Sequence, residues 1–241
     1  MIPLHDDNPT TVTPFVTVAL IVACSLVFLY EVSLPPTLSQ QFIFHYGAIP
    51  AALFGYALDS SVDSTALPAS FSLVTSMFLH GGWMHLIGNM LYLWIFGNNI
   101  EDVMGHAKFV IFYLICGILA AGSHALTDPS STIPMVGASG AISGVLGAYL
   151  LLFPRAQVLV LIPLGFFIRM MYVPAGLVLG FWFLLQMLSS SVTLGQSGGG
   201  VAWFAHVGGF VAGLALIGLF KRPDVPFFAR RRHASWRPLD W

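Results

Sequence analysis

Long apolar runs, each about as long as a membrane-crossing helix, dominate the chain. Because the hydrocarbon core of a bilayer is about 30 Å thick and a helix rises about 1.5 Å per residue, a span needs about 20 mostly apolar residues. The runs predict six spans, at residues 14–34, 78–98, 107–126, 136–153, 170–190 and 201–220. The fourth run is short, so we expect it to be sunk among its neighbours. The pattern predicts an all-α, polytopic membrane protein.

Composition supports this interpretation. Hydrophobic residues make up 57% of the 241 residues and charged residues 8%, whereas soluble domains carry about 25% charged residues. A soluble enzyme, a disordered tail and a free nucleic-acid-binding protein are therefore excluded. Cys24 and Cys116 lie inside apolar runs, so neither a disulfide framework nor a zinc finger is predicted.

Basic residues indicate the orientation of the chain in the membrane. Lys108 lies at the start of span 3, beside its connection to span 2, Arg155 and Arg169 lie between spans 4 and 5, and the other six basic residues follow residue 220. The remaining connections contain no Lys or Arg and comprise residues 35–77, 127–135 and 191–200. Because short cytoplasmic loops are enriched in Lys and Arg, both termini are predicted to be cytoplasmic.

This topology divides the chain into three parts. Residues 1–13 form a short cytoplasmic segment, residues 14–220 form the membrane domain and residues 221–241 form a basic cytoplasmic tail. We expect the first span to remain in the membrane, because no basic residue precedes it and no small-residue cleavage site follows it. Residues 154–169 are interpreted as an apolar connection along the cytoplasmic interface.

Four polar residues inside the spans form a pattern. Such residues are costly in lipid and generally face the interior of a bundle, where they are candidates for function. His85 and Asn89 are four residues apart and share one face of span 2, whereas Ser139 begins span 4 and His206 lies near the start of span 6. In the predicted topology, Ser139, His206 and His85 lie within about the outer third of the membrane.

Small residues explain how Ser139 and His206 can meet. Stripes at four-residue spacing permit close approach of helix backbones in lipid. Spans 4 and 6 each carry such a stripe, at Gly140, Gly144 and Ala148 and at Ala205, Gly209 and Gly213. Ser139 and His206 each flank their stripe by one position, so we expect them to be partners.

The chemistry of these residue types favours nucleophilic catalysis. An imidazole that accepts the hydroxyl proton makes serine a nucleophile, and can return the proton to a leaving amine. His206 fits that role for Ser139. The backbone N–H of Ser139, the amide of Asn89 and an N–H of His85 are candidate donors to an oxyanion. No carboxylate is placed to orient His206, so the sequence predicts a dyad and not a triad.

At these residues the chain resembles the rhomboid family of intramembrane serine proteases. The resemblance rests on three ordered motifs, with Glu101 and Gly105 in addition. The motifs are His80-Gly81-Gly82-Trp83-Met84-His85 with Asn89, Gly137-Ala138-Ser139-Gly140, and Ala205-His206-Val207-Gly208-Gly209 with Gly213.

The resemblance implies a six-helix bundle that cleaves transmembrane segments of membrane-protein substrates near the outer face, without a metal or cofactor. It implies that Ser139 is the nucleophile and His206 the general base, with His85 and Asn89 as oxyanion donors. The residues expected to support the site structurally are His80, Glu101, Gly137, Gly140, Gly209 and Gly213. The long first loop and the fifth helix would form the lateral wall and gate. The expected partners are substrates and membrane lipids, and the expected location is a bacterial plasma membrane.

The chain departs from the family pattern at two places. Many relatives carry Trp-Arg in the first loop where this chain has Phe71-Ser72, and some bacterial members stack an aromatic ring on the histidine from the position of Ser143. Neither change removes a reacting group.

Three alternatives to a serine protease remain open. A rhomboid-like pseudoprotease would bind helices without cleaving them, although all four reacting residues are present. A transporter would require broken helices with charges at mid-membrane, and the spans lack paired charges. A zinc protease would use His80, His85 and His206, but the chain has no H-E-x-x-H motif.

Overall fold

The structure is a computed structural model that describes residues 1–56, 68–164, 167–193 and 202–229. Within these ranges the fold is mostly helical, as predicted. The helices are α1 (Phe15–Ser33), α2 (Pro36–Tyr46), α3 (Pro50–Leu53), α4 (Ala69–Thr75), α5 (Trp83–Tyr92), α6 (Asn98–Met104), α7 (His106–Ala125), α8 (Ser139–Leu152), α9 (Ala175–Thr193) and α10 (Trp203–Phe220).

Each predicted span contains a helix, but two of the predicted starts are wrong. The second helical stretch begins at Trp83 and not at residue 78, and a π-helical turn at Leu93–Gly97 joins α5 to α6. Two consecutive glycines precede Trp83, and glycine disfavours helix. The fifth helix begins at Ala175 and not at residue 170, because the preceding residues are paired in a strand.

By length and composition, three helices among the described residues suit a membrane crossing: α1, α7 and α10. Helix α8 has only 14 residues, and nearly all of them are buried. The expectation that the fourth helix is sunk among its neighbours is therefore confirmed. The count of six crossings stays a prediction.

A small antiparallel sheet is an unpredicted addition to the helical fold. Its strands, in spatial order, are β1 (Ile2–Asp6), β2 (Gln157–Leu164) and β3 (Phe167–Pro174). Strand β2 buries Val158 and Val160, whereas Phe167 and Ile168 of β3 are exposed. The segment interpreted as an interfacial connection is thus a hairpin that pairs with the N-terminal residues.

Helix α1 begins without a capping side chain of its own, because Pro14 occupies the N-cap position. The carboxylate of Glu101, on α6, accepts hydrogen bonds from the backbone N–H groups of Val16 and Thr17, each at 2.8 Å. These N–H groups belong to the first turn and have no acceptor within the helix. A carboxylate at this position also interacts favourably with the helix dipole. Glu101 therefore attaches α1 to α6.

The N-terminal segment and the residues after α10 lie at the same end of the bundle. The backbone N–H of Thr11 donates to Asp102 at 2.6 Å. The backbone N–H of Arg222 donates to the carbonyl of Val103 at 3.1 Å. For the residues described, which end at 229, this arrangement agrees with the prediction of both termini on one side of the membrane. The arginines at 230–232 lie outside the described residues.

Helices α8 and α10 pack with their backbones in direct contact. A Cβ added to Gly209 would overlap the carbonyl oxygen of Gly140, and one added to Gly213 would overlap that of Gly144. The predicted close approach along the two small-residue stripes is confirmed. We call these four glycines the α8/α10 seam.

We predict that Gly209→Ala lowers the free energy of unfolding by about 1–3 kcal/mol, because an overpacked contact forces the helices apart. Gly122→Ala is the matched control, since a Cβ at that helical glycine meets no heavy atom within 4 Å. Thermal unfolding in detergent compares the two variants with wild type. Equal unfolding temperatures for both would contradict the assignment of the seam.

The carboxyl group of Asp6 is buried between the sheet and the bundle. Its Oδ2 accepts hydrogen bonds from the Tyr149 hydroxyl at 2.5 Å and from Asn99 Nδ2 at 3.0 Å. Burial raises the pKa of Asp6 from 3.8 to about 6, because removal from water disfavours the charged form more than the hydrogen bonds favour it. The folded state therefore binds the proton more tightly than the unfolded chain does.

We predict that Asp6 costs stability progressively as pH rises from about 4 to 6 and above, by up to about 3 kcal/mol. Asp6→Asn keeps an acceptor oxygen and removes the charge. It should therefore be more stable than wild type at pH 7.5, with the difference shrinking toward pH 4. Thermal unfolding of both proteins across this range tests the prediction, and a difference that is independent of pH would refute it.

Candidate active site

Ser139 is presented at the first position of α8 by a turn that requires glycine. Gly137 has φ +126°, a conformation that other residues rarely adopt, and its N–H donates to the carbonyl of Ser76 at 2.9 Å. A Cβ at Gly137 would also lie 2.7 Å from His85 Nε2. Only glycine therefore allows this turn to hold Ser139 beside His85.

Ser139 and His206 are hydrogen-bonded to each other. The distance from Ser139 Oγ to His206 Nε2 is 2.8 Å, within the range for proton transfer between a nucleophile and its base. The contact lies at the end of the α8/α10 seam, where Gly140 and Gly209 touch. The pair predicted from depth and stripe position is thus brought together.

His206 is buried, with 8% of its surface exposed. Its second ring nitrogen, Nδ1, lies 2.6 Å from Oε1 of Gln186, on α9. The rings of Trp182 and Trp203 flank the imidazole, each with a centroid 6.0 Å away. The histidine is therefore held by a hydrogen bond on each nitrogen and by two indoles.

Ser143, at the position where some relatives carry an aromatic ring, does not replace that ring. Its hydroxyl donates to the carbonyl of Ser139 at 2.6 Å, so it bonds within its own helix. The two tryptophans instead supply the aromatic surroundings of His206. Phe71 and Ser72, the other departure from the family pattern, lie on α4, where Phe71 is exposed and Ser72 donates to the carbonyl of Ala69.

The predicted oxyanion donors lie on α5, which contacts α8. His85 Nδ1 accepts a hydrogen bond from the backbone N–H of Gly81 at 3.3 Å, so the proton of a neutral ring is on Nε2, the nitrogen that faces Gly137. Asn89 is 8% exposed, and within the described part of the chain its Nδ2 has no hydrogen-bond partner. A buried donor without an acceptor is costly. Asn89 is thus available to an acceptor brought by a ligand.

A cleft opens beside the Ser139 hydroxyl. Small side chains form most of its wall, together with Met77 and Met135. The small residues lining it include Gly117, Ala120, Gly137, Gly140 and Ala205. Such a wall leaves the space beside the hydroxyl free of bulky side chains.

The residues expected to support the site occupy three places. Gly137, Gly140, Gly209 and Gly213 lie in the turn and the seam already described. His80 is fully buried, and its ring packs edge-on against His85 at 5.2 Å. Glu101 is far from His85, since sixteen residues of helix correspond to about 24 Å. Its role is to attach α1.

No group of three or more His, Cys, Asp or Glu side chains among the described residues is arranged to hold a metal ion. The zinc-protease interpretation therefore finds no set of ligands among them. Ser139 and His206 instead occur in the motifs that resemble the rhomboid family.

A family model described as the Rhomboid domain matches residues 69–223, more than half of the chain. The chain belongs to the rhomboid family. The matched region begins with α4 and includes every residue of the candidate site.

Relatives occur in bacteria and in eukaryotes. Rhomboid protease GluP of Bacillus subtilis is 30% identical over 159 residues, which are 66% of this chain and 28% of that protein. The chloroplastic Rhomboid-like protein 11 of Arabidopsis thaliana is 29% identical over 158 residues, 64% of this chain and 54% of that protein. The mitochondrial Presenilin-associated rhomboid-like protein A of Danio rerio is 30% identical over 166 residues, which cover 64% of this chain and 39% of that protein. This chain therefore spans about half or less of the length of these relatives.

Sequence reasoning missed Gln186. It is the only strongly polar residue between Ala175 and Leu188, and an isolated polar side chain in an apolar helix is a candidate for function. An amide oxygen can accept from the imidazole as a carboxylate does, so this residue type was also a candidate partner of His206.

Proposed function

We propose that this rhomboid-family protein is an intramembrane serine endopeptidase. The observation that carries the proposal is the 2.8 Å contact between Ser139 Oγ and His206 Nε2, in a cleft between helices and not in a water-soluble domain. Ser139 is the nucleophile and His206 the general base, so the catalytic unit is a dyad.

The reaction proceeds by acyl transfer in two halves. Ser139 Oγ attacks the scissile carbonyl carbon while its proton passes to His206 Nε2. When the tetrahedral intermediate collapses, the C–N bond breaks and His206 returns that proton to the leaving amine. A water molecule then attacks the acyl-enzyme, gives one proton to His206 and releases the acid, and His206 reprotonates Ser139. No cofactor is needed for this balance.

The negative charge of the tetrahedral oxygen requires donors that are already oriented. The backbone N–H of Ser139 belongs to the first turn of α8 and is not used by the helix ladder. Asn89 supplies the buried Nδ2 that has no partner among the described residues. His85 is the third donor, through the ring nitrogen beside Gly137.

The substrates we propose are transmembrane segments of other membrane proteins. The exposed surfaces of α1, α7 and α9 are largely apolar, so they suit contact with lipid and with an apolar substrate helix that approaches within the membrane. Cleavage near the outer face follows from the predicted topology, in which both termini are cytoplasmic and Ser139 lies at the opposite end. We propose a bacterial plasma membrane as the location and place the basic tail at its inner surface.

We predict that Ser139→Ala and His206→Ala each abolish labelling by a fluorophosphonate probe and cleavage of a reconstituted transmembrane substrate. The double variant should be no worse than either single one, because the residues act as one unit. Ser143→Ala is the matched control, since it removes a hydroxyl one helical turn away that bonds only to its own helix.

Labelling that survives Ser139→Ala would refute the assignment of the nucleophile. A folded wild-type protein that binds a substrate helix but never labels or cleaves would instead establish the pseudoprotease alternative.

We predict that Asn89→Ala lowers kcat by about 10²-fold or more, with little change in KM, since an oxyanion donor acts mainly in the transition state. Steady-state cleavage of the same substrate measures both constants. A variant with raised KM and unchanged kcat would make Asn89 a substrate-binding residue.

A further inference from the structure

We infer that Gln186 is a positioning residue for the reaction, and that it holds His206 in the tautomer needed for a general base. The inference rests on the proposed function and adds a residue that supports the dyad. It concerns a side chain that reaches the histidine from a different helix, α9, and does not touch the reacting atoms.

The geometry identifies which group donates. His206 Nδ1 and Gln186 Oε1 are 2.6 Å apart, and an amide oxygen can only accept. With the amide in this orientation, the proton is on Nδ1. A neutral imidazole carries one N–H, so Nε2 is left with its lone pair directed at the Ser139 hydroxyl, 2.8 Å away.

The opposite tautomer would be inactive as a base. With the proton on Nε2, the ring would donate to Ser139 Oγ and could not accept its proton. Acceptance of the serine proton also places a positive charge on the ring, and the Nδ1–H bond to Gln186 then becomes charge-assisted and stronger. The same contact thus selects the tautomer at rest and stabilises the cation formed during acyl transfer.

The hydrogen bond between His206 and Gln186 is shielded from water. Gln186 is 7% exposed and His206 is 8% exposed, so water does not readily replace the amide oxygen. Trp182, one turn before Gln186 on the same helix, also packs on the imidazole ring. Helix α9 thereby restrains the histidine by one hydrogen bond and one aromatic contact.

This arrangement links the fifth helix to the chemistry. If α9 moves away from α10, His206 loses both restraints while keeping its neighbours on α8 and α10. The base is therefore fully oriented only when α9 is packed against α10, as it is in this structure.

The test compares Gln186→Met, which keeps the length of the side chain but removes the acceptor, with Gln186→Glu, which keeps an acceptor oxygen in either ionisation state. Met187→Leu is the matched control, because Met187 is the next residue along α9 and its side chain is 49% exposed. Fluorophosphonate labelling rates, kcat and KM for a transmembrane substrate, and thermal unfolding are measured for each variant. Nitrogen-15 spectra of the His206 ring, assigned by comparison with His206→Ala, report which nitrogen carries the proton.

We expect Gln186→Met to label about 10- to 100-fold more slowly, with kcat lowered and KM unchanged. Gln186→Glu should label at about the wild-type rate, because it keeps an acceptor oxygen. Met187→Leu should also label at the wild-type rate. The wild-type ring should carry its proton on Nδ1, and Gln186→Met should show a mixture of tautomers.

A folded Gln186→Met variant that labels at the wild-type rate would overturn the inference, as would a wild-type ring protonated on Nε2. The spectra keep the two proposals separate. A wild-type protein with the proton on Nδ1 that never labels would contradict the proposed function and still support the contact with Gln186.

Discussion

The arrangement of the whole site depends on the absence of side chains between α8 and α10. In lipid there is little hydrophobic gain when two helices associate, so close packing of backbones must supply much of the attraction. The glycines of the seam leave no room for a Cβ. They bring the beginnings of the two helices near enough for Ser139 and His206 to bond, although neither residue belongs to the seam. The positions of Ser139 and His206 therefore follow from the residues beside them.

A second set of buried polar groups lies at the opposite end of the bundle. Glu101 binds the first turn of α1, and Asp102 binds the segment before it. The side chain of Asp6, at the end of β1, contacts α6 and α8 through Asn99 and Tyr149. The bundle thus has one polar layer that we assign to chemistry and another that attaches the N-terminal region, with apolar packing between them.

Much of this could be predicted from the sequence, because lipid imposes simple rules on length, polarity and close packing. Helix positions followed from apolar runs, and the contact between Ser139 and His206 followed from two stripes of small residues. The sheet could not be found in this way. Strands β2 and β3 are apolar on both faces, so they show no alternation, and β1 pairs with a segment distant along the chain. The contact between Gln186 and His206 was not predicted. It depends on the rotation of α9 about its axis, and a helix that is apolar on all sides does not indicate that rotation.

The pairing of β1 with β2 also constrains the order in which the protein is assembled. Asp7 and Gln157, which hydrogen-bond at the end of this pairing, are 150 residues apart. Strand β1 leaves the ribosome before β2, which is synthesised only after α8. Strand β1 therefore remains without its partner strand while α1 to α8 are made. Closure of the sheet over Asp6 is consequently a late event in biogenesis, reached only once the bundle that contains Tyr149 exists.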